Sequence, residues 1–489
     1  MRMSSAARLV PAVLFGLLIQ AVAVSTAAVA AVPASSAAAL PPAESDGTTA
    51  LHWAVHNNDK PLVERLLKAG ANVNARNDYG ATPLAEAAVL ADPVLLERLL
   101  KAGADVESAN DDGQTALMLV ARNGNVAAAK LLLRYRANVN AREKWRQQTA
   151  LMWAAAQAQP EMVRFLVSKG ADVNARSLVN DWERQVTAEP RSQARPAGGL
   201  TPLLYAARRG CAPCARALVE GGADVNLADP YGVTPLLMAA QNFSFDTATY
   251  LLSKGADPNR WDSAGRAPLY AAVDLNTIPF GGRADRPSLD DTTSLDLIRQ
   301  LLAAGANPNL QLKLMPPYRS LRDDRGADGL LAIGATPLLR AAKAADIPVI
   351  KLLLAAGAKV DLPNVNGITP LMAAAGNGSS KIDTRGRYKT PEQAIEAIEI
   401  LVAAGANINA RDAQGQTALF GAAVFGWNDV VRTLVARGAK LDALDARGKS
   451  AVDAAMGTGG GGRAGSDPQP ETAALLKSLM AQAGAAPAR

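Results

Sequence analysis

Two pairs of residues could do chemistry by type and spacing: Cys211 with Cys214, and His52 with His56. The stretch Cys211-Ala212-Pro213-Cys214 opens a helix, and a thiol at a helix N-terminus feels the positive end of the dipole, which favours the thiolate. With only two residues between them, the sulfurs can reach bonding distance without moving the backbone far. Such a pair can exchange with another disulfide or simply close on itself. His52 and His56 stand at i, i+4 on one helix, a spacing that can hold a metal, but no HExxH and no matching carboxylate accompanies them. No phosphate-cradling loop or nucleophile elbow occurs, and the glycines at 459–462 lack a following Lys-Ser/Thr and read as linker. No catalytic, cofactor-binding or metal-binding residue is assigned.

The elements that position these residues are units of one kind, typified by 77–109. Thr82-Pro83 opens a first helix, because the Thr hydroxyl can cap an orphan N–H and Pro suits the first helical position. Asp92-Pro93 opens a second helix by the same chemistry. Gly103 ends it, where a left-handed residue without a Cβ is wanted. Leu95, Leu96, Leu99 and Leu100 form the apolar stripe of the second helix, and Ala87 and Ala88 keep the first one thin. Two such helices cannot bury that stripe alone, so the unit needs copies on either side.

The copies are present. The Thr, or its substitute, stands at 49, 82, 115, 149, 201, 234, 267 (Ala), 336, 369, 417 and 450 (Ser), and six of the ten steps are 33 residues. The step from 115 to 149 carries one extra residue. A Gly-Ala pair recurs after the leucines, with Arg136 once in the Gly place, at an expected cost of roughly 1 kcal/mol if that residue is left-handed.

These landmarks resemble the ankyrin repeat family, whose period is 33 and whose signature is T-P-L-H-x-A. TALHWAV, TPLAEAA, TALMWAA, TPLLYAA, TPLLMAA and TPLMAAA match it, and GANVNAR, GADVNAR and GANINAR close units. The resemblance covers 44–482, with His in its place only at His52, where a structural role is expected. It implies an all-α solenoid of about eleven helix-turn-helix units joined by short hairpins. The units start near 44, 77, 110, 144, 196, 229, 262, 331, 364, 412 and 445. The CAPC stretch is also similar to the redox motif of thioredoxins, but no βαβ pattern surrounds it and Cys214 aligns with a core position. A structural disulfide between Cys211 and Cys214 is therefore expected.

Composition agrees. Hydrophobic residues make up 49% of the 489 while aromatics make up 4%, so the apolar mass is Ala and Leu, as thin stacked helices need. The net charge of +6, from 51 basic against 45 acidic residues, is scattered, with no basic stripe for nucleic acid. Residues 1–30 read as a secretory signal peptide: Arg2 and Arg8, an uncharged apolar run at 9–24, then Ala28-Val29-Ala30 as a cleavage pattern. A flexible leader follows at 31–43. The run is shorter than the ~20 residues of a spanning helix, so no stable membrane span is expected after cleavage. The chain is expected to be exported, periplasmic or secreted, and monomeric, with a tail at 483–489.

Four insertions break the array, at 177–199, 276–293, 311–335 and 377–391. The third holds Leu312, Leu314, Met315, Tyr318, Leu321 and Leu330, too much apolar surface to leave in water, and is expected to pack on the array or a partner. The last unit keeps Ser450 and ends in a helix with Leu475, Leu476 and Leu479 on one side, as a cap requires.

The resemblance implies a protein partner held on a concave face by hairpin tips and the far ends of first helices. Aligned on the Thr, the tips carry Tyr79, Asp112, Trp145, Arg146 and Tyr231, and the helix ends carry Arg122, Gln157, Arg208, Arg209, Gln241, Asn242 and Lys343. Tyr, Trp and Arg are the types that make interface hot spots. Trp53, Trp153 and Tyr205 lie within the signature and are expected to pack between repeats. The function expected is a non-catalytic scaffold for protein–protein interaction. A thiol–disulfide protein using Cys211 and Cys214, or an effector acting on a host protein, are the alternatives.

Overall fold

The computed structural model describes residues 42–180, 197–277, 290–314, 329–331, 333–378, 389–457 and 467–484. Residues 1–30, expected above to be a signal peptide, lie outside these residues, as do the 459–462 glycines and most of the leader and of each insertion. Among the described residues, twenty-two α-helices fall into eleven helix-turn-helix units, from Ala50–His56 with Lys60–Lys68 to Ala451–Ala455 with Pro470–Gln482. No strand occurs among the described residues, only isolated bridges at Val179 with Gly198 and Leu444 with Ser450. No described helix is long and apolar enough to cross a membrane.

The start and stop signals act as the residue types require. The Thr82 hydroxyl accepts from the Ala85 N–H at 3.2 Å, and the Asp92 carboxylate accepts from the Val94 and Leu95 N–H groups. Gly103 ends Pro93–Lys101 at φ +88°, which only glycine adopts without strain. Arg136, in the same place one unit on, is forced to φ +70°, as its position predicts.

First helices pack on first helices and second helices on second helices of the next unit, and substantial contacts never skip a unit. Leu95, Leu96 and Leu99 are fully buried, as are Ala87 and Ala88. This is the one-dimensional stacking of a solenoid.

The Asn of the closing motif ties unit to unit. Asn74 donates from Nδ2 to the Gly103 carbonyl (3.0 Å) and accepts the Asp105 N–H at Oδ1 (2.8 Å). Asn140, Asn259, Asn309 and Asn409 repeat both bonds in their own units. Each amide thus satisfies a terminal carbonyl that a helix end leaves open.

Units seven to nine depart from this plan. Arg340, 1% exposed, pairs with Asp274 (Nε to Oδ1, 2.5 Å), and Asp346 accepts from the Asn276 amide. Of the third insertion, Leu312 and Leu330 are buried while Leu314 is 55% exposed. Met315, Tyr318 and Leu321 lie outside the described residues. The terminal helix buries Leu476 and Met480 and leaves its other side exposed, as a cap should.

A candidate interaction face on the hairpins

Seven hairpins turn on a short acidic or amide side chain, at Asn77, Asn110, Asp229, Asp262, Asn364, Asp412 and Asp445. Asp229 accepts the N–H groups of Tyr231 (2.9 Å) and Val233 (2.8 Å), which locks the tip. Burial pushes its carboxyl above the usual carboxylate range, against the pull of those two donors, and Asp262 nearby adds to the rise. Tips are then bonded to one another through the backbone: Asp78 to Asp46, Lys144 to Asp112, Ser263 to Tyr231, Val365 to Ile333 and Ala446 to Gln414, each N–H to carbonyl at 2.7–2.8 Å. Gly113 permits one of these approaches, since a Cβ there would stand 2.8 Å from the Lys144 nitrogen. The result is a rigid row of tips along one edge.

Large apolar side chains stand in water along that edge. Tyr79 (72% exposed), Trp145 (70%) and Tyr231 (46%) are joined by Leu178, Val179, Trp261, Leu314, Ile333 and Val365. Only five other large apolar residues are equally exposed among the described residues, at Trp53, Val89, Leu90, Val94 and Met456.

The fourth hairpin is unlike the rest. The extra residue of the 115–149 step lies in its tip, Glu143 to Gln148, where Gln147 takes the usual glycine place at φ +54°. Glu143 replaces the shorter Asp, and its carboxylate reaches the N–H groups of Trp145, Arg146 and Gln148 at 2.6–3.0 Å. The widened tip leaves an open cleft of about 260 Å³ lined by Asp112, Trp145, Arg146, Gln148 and Trp153, with Gln114 and Glu143 behind. Gln148 donates to the Tyr205 hydroxyl.

Of the residues read as partner-binding, the cleft brings together Asp112, Trp145 and Arg146. Tyr79 and Tyr231 stand alone on their own tips. Arg122, Gln157, Arg208, Arg209 and Asn242 are exposed at the helix ends, with the Arg208 guanidinium 5.1 Å from the Tyr205 ring centre. Gln241 is half-buried and its Nε2 is enclosed. Lys343 is a correction: it is 8% exposed, enclosed beside Lys389, and cannot meet a partner. Trp53 is another, because it is 45% exposed and donates to Glu44 rather than packing between units. Trp153 is half-buried and lines the cleft, while Tyr205 is buried as expected. Glu143, Gln148 and Trp153 were missed as site residues; the extra residue before Thr149 was the signal.

Models of the family described as ankyrin repeats match residues 87–177, 182–262 and 290–383, and those described as ankyrin repeat match 46–78, 366–413 and 414–446. The chain belongs to the ankyrin repeat family. It is 34% identical over 113 residues to the human (Homo sapiens) ankyrin repeat and SOCS box protein 6, covering 23% of this chain and 23% of that protein. Over 184 residues it is 26% identical to the ankyrin repeat protein nuc-2 of Neurospora crassa, covering 37% and 16%. The chain thus spans under a quarter of the length of these curated relatives. Among solved structures it resembles the ankyrin repeat domain of Bcl-3, described as a unique member of the IkappaB protein family, with 26% identity and TM-score 0.38 over 46% of this chain and 94% of that one.

In this ankyrin array the family's histidine position serves structure. His52 completes a capping box with Thr49 and its Nε2 lies 3.1 Å from the Ala81 carbonyl. His56 faces Glu86 at 3.3 Å, and no group of three metal-ligating residues occurs among the described residues. Cys211 and Cys214 are disulfide-bonded, with Cys211 capping Ala212–Glu220 and both residues buried.

Proposed function

We propose that this chain is an exported, non-catalytic scaffold that holds a protein partner against the hairpin edge of its ankyrin array. Ankyrin repeats mediate protein–protein interaction. The observation that carries the site is the row of exposed Tyr, Trp and aliphatic side chains on bonded, rigid tips. Exposed apolar groups gathered on one edge mark an interaction surface, and rigid presentation lowers the entropy cost of binding. Export is supported by the charged start, apolar run and Ala-x-Ala pattern of residues 1–30. Burial of both cysteines weighs against disulfide exchange, which needs one sulfur open to attack.

Capture from the native envelope fraction tests the site. Trp145→Ala with Tyr231→Ala is expected to lower capture at least ~10-fold, as loss of two hot-spot aromatics should. Val94→Ala with Met456→Ala, off the edge, should leave it unchanged; the reverse pattern removes the hairpin reading. N-terminal sequencing of the native protein should find a start between Ala27 and Ala34, and intact Met1 in a cytoplasmic fraction would remove export. An insulin-reduction assay should show no activity, and turnover lost in Cys211→Ala would replace the scaffold with a redox protein.

A further inference from the structure

We infer that the tips of units four to seven, with Lys313 and Leu314 beside them, form one face for a partner segment that combines large apolar side chains with carboxylates. This rests on the hairpin reading above and names the stretch of the edge and the chemistry it takes. Backbone bonds make these tips a single surface. The Leu178 N–H donates to the Arg146 carbonyl (2.6 Å), the Ser263 N–H to Tyr231 (2.7 Å) and the Lys313 N–H to Ala264 (2.9 Å). The fifth and sixth tips approach as closely, since a Cβ on Gly199 would stand 2.8 Å from Pro230 and 3.1 Å from Val179. Trp145, Leu178, Val179, Tyr231, Trp261 and Leu314 stand on this surface, each between 44% and 72% of full exposure. Apolar groups gathered on one rigid surface fit apolar groups opposite.

The charges that these tips turn outward have one sign. Lys144, Arg146, Arg260 and Lys313 are exposed. The acids of the same tips, Glu143, Asp229 and Asp262, are turned into their own hairpins, where each accepts backbone N–H groups, and Asp262 also pairs with Arg266 at 2.6 Å. No carboxylate is exposed within 143–148, 176–180, 197–200, 228–233 or 260–266 among the described residues. Asp172, Asp224 and Asp257 are exposed only at the foot of the hairpins, each bonded to the N–H two residues on. The sign reverses on the second and third tips, where Asp78, Asp111 and Asp112 are exposed and Tyr79 is the one large apolar group. A cationic segment would meet four like charges on the face. A neutral apolar one would cover those cations without giving them a partner. A segment with carboxylates between its apolar residues satisfies both.

The probe is a fluorescent peptide of about twelve residues that alternates Glu with Leu and Phe, long enough to cross four tips at ~8–10 Å a step. Its binding to the full chain, read by anisotropy, should saturate and weaken roughly tenfold from low to physiological ionic strength. The side chains of Arg146 and Lys313 make no bond among the described residues, so Arg146→Glu with Lys313→Glu should fold normally and weaken the peptide at least ~10-fold. Leu178→Ser with Val179→Ser should weaken it to a similar extent without changing thermal unfolding, because both residues are exposed. Asp78→Ala with Tyr79→Ala, off the face, should change nothing. Absence of saturable binding overturns the inference. So does equal or tighter binding of the peptide with Lys in place of Glu, or with Ser in place of Leu and Phe. Tighter binding once a Gly-Ser linker replaces 181–196 also overturns it, by assigning the face to the chain's own insertion. Failure of the underlying reading appears separately, as partner capture that survives Trp145→Ala with Tyr231→Ala. Capture that is lost there but untouched by Arg146→Glu with Lys313→Glu removes this inference alone.

Discussion

Between Thr149 and Ala240 the first helices meet through Ala, Leu and Met, whereas between Ala267 and Ala375 the same elements enclose Asp274, Arg340 and Lys343, with Asp346 buried at the start of a second helix. In the first region the polar chemistry is pushed out to the hairpins, where Glu143 and Asp229 lock the tips. In the second it is turned inward, where the Asp274–Arg340 pair links units seven and eight. A stack of near-identical apolar units can slip or swap neighbours at little cost. A buried ion pair penalises the wrong neighbour, because either charge alone inside the array is costly. The Asp274–Arg340 pair therefore favours units seven and eight as neighbours.

The sharpest way to break this contrast is Asp274→Ala, which leaves the Arg340 guanidinium enclosed without its carboxylate. A loss of about 3–5 kcal/mol is expected, because an uncompensated buried charge remains. Hydrogen exchange should rise around Pro268–Asn276 and Pro337–Ala344 and stay unchanged in the first four units. Asp274→Leu with Arg340→Met should lose far less, since both charges go together. If Asp274→Ala behaves like a surface substitution, the second region is held by its apolar contacts as the first is.

Leu99→Ala probes the apolar region in the same way. Leu99 is fully buried in the second unit's stripe, so a cost of roughly 2–5 kcal/mol is expected. Exchange should rise in units one to three and remain unchanged beyond unit six. Uniform loss of protection along the chain would mean a single core and no regional contrast at all.

The two regions also differ in how far they were legible. Thr82-Pro83, Asp92-Pro93 and Gly103 each act through their own backbone within a few residues, so their roles follow from type and spacing. Even the strained Arg136 was readable, because its register demands a positive φ. Lys343 has the same register as Arg122 and Arg208, seven residues after the Thr, yet it alone is enclosed. Its neighbour Lys389 arrives from the far end of an insertion, and no repeat pattern tells where an insertion returns. The cleft was half legible. The extra residue before Thr149 was visible, but that it widens a tip depends on Glu143 reaching backbone groups that a shorter Asp would miss.

Lys389 sharpens the contrast through pH. Burial pushes its ammonium from the ordinary 10.5 down to about 7, and Lys343 adds to the push. Between those values the unfolded chain holds more protons than the folded one, so stability rises with pH across the window and the penalty is constant below it. Lys389→Met removes the penalty and should stabilise by roughly 1–2 kcal/mol at pH 6, with the gain fading toward pH 10. The gain stays below the full linkage value because Nζ donates to the Ala373 carbonyl and lies 5.7 Å from the Trp427 ring centre. Urea titrations at several pH values give the comparison. A difference that does not change with pH would mean a solvated ammonium and one buried charge fewer in the second region.

The smallest effect is expected at Cys211 and Cys214, which lie in the apolar region but belong to neither strategy. The loop they close is four residues, so the chain-entropy gain is about 2 kcal/mol at most. Cys211 also caps its helix, its Sγ accepting the Cys214 N–H at 3.2 Å. Cys211→Ala with Cys214→Ala removes the link and the cap together and should cost about 1–2 kcal/mol, confined to the fifth unit and its neighbours. Cys211→Ser with Cys214→Ala restores a better cap oxygen and should recover part of that loss. Exchange in Ala212–Glu220 reads both variants. Equal loss in the two would assign the effect to the covalent link alone, and loss reaching the hairpin tips would tie the disulfide to the partner face.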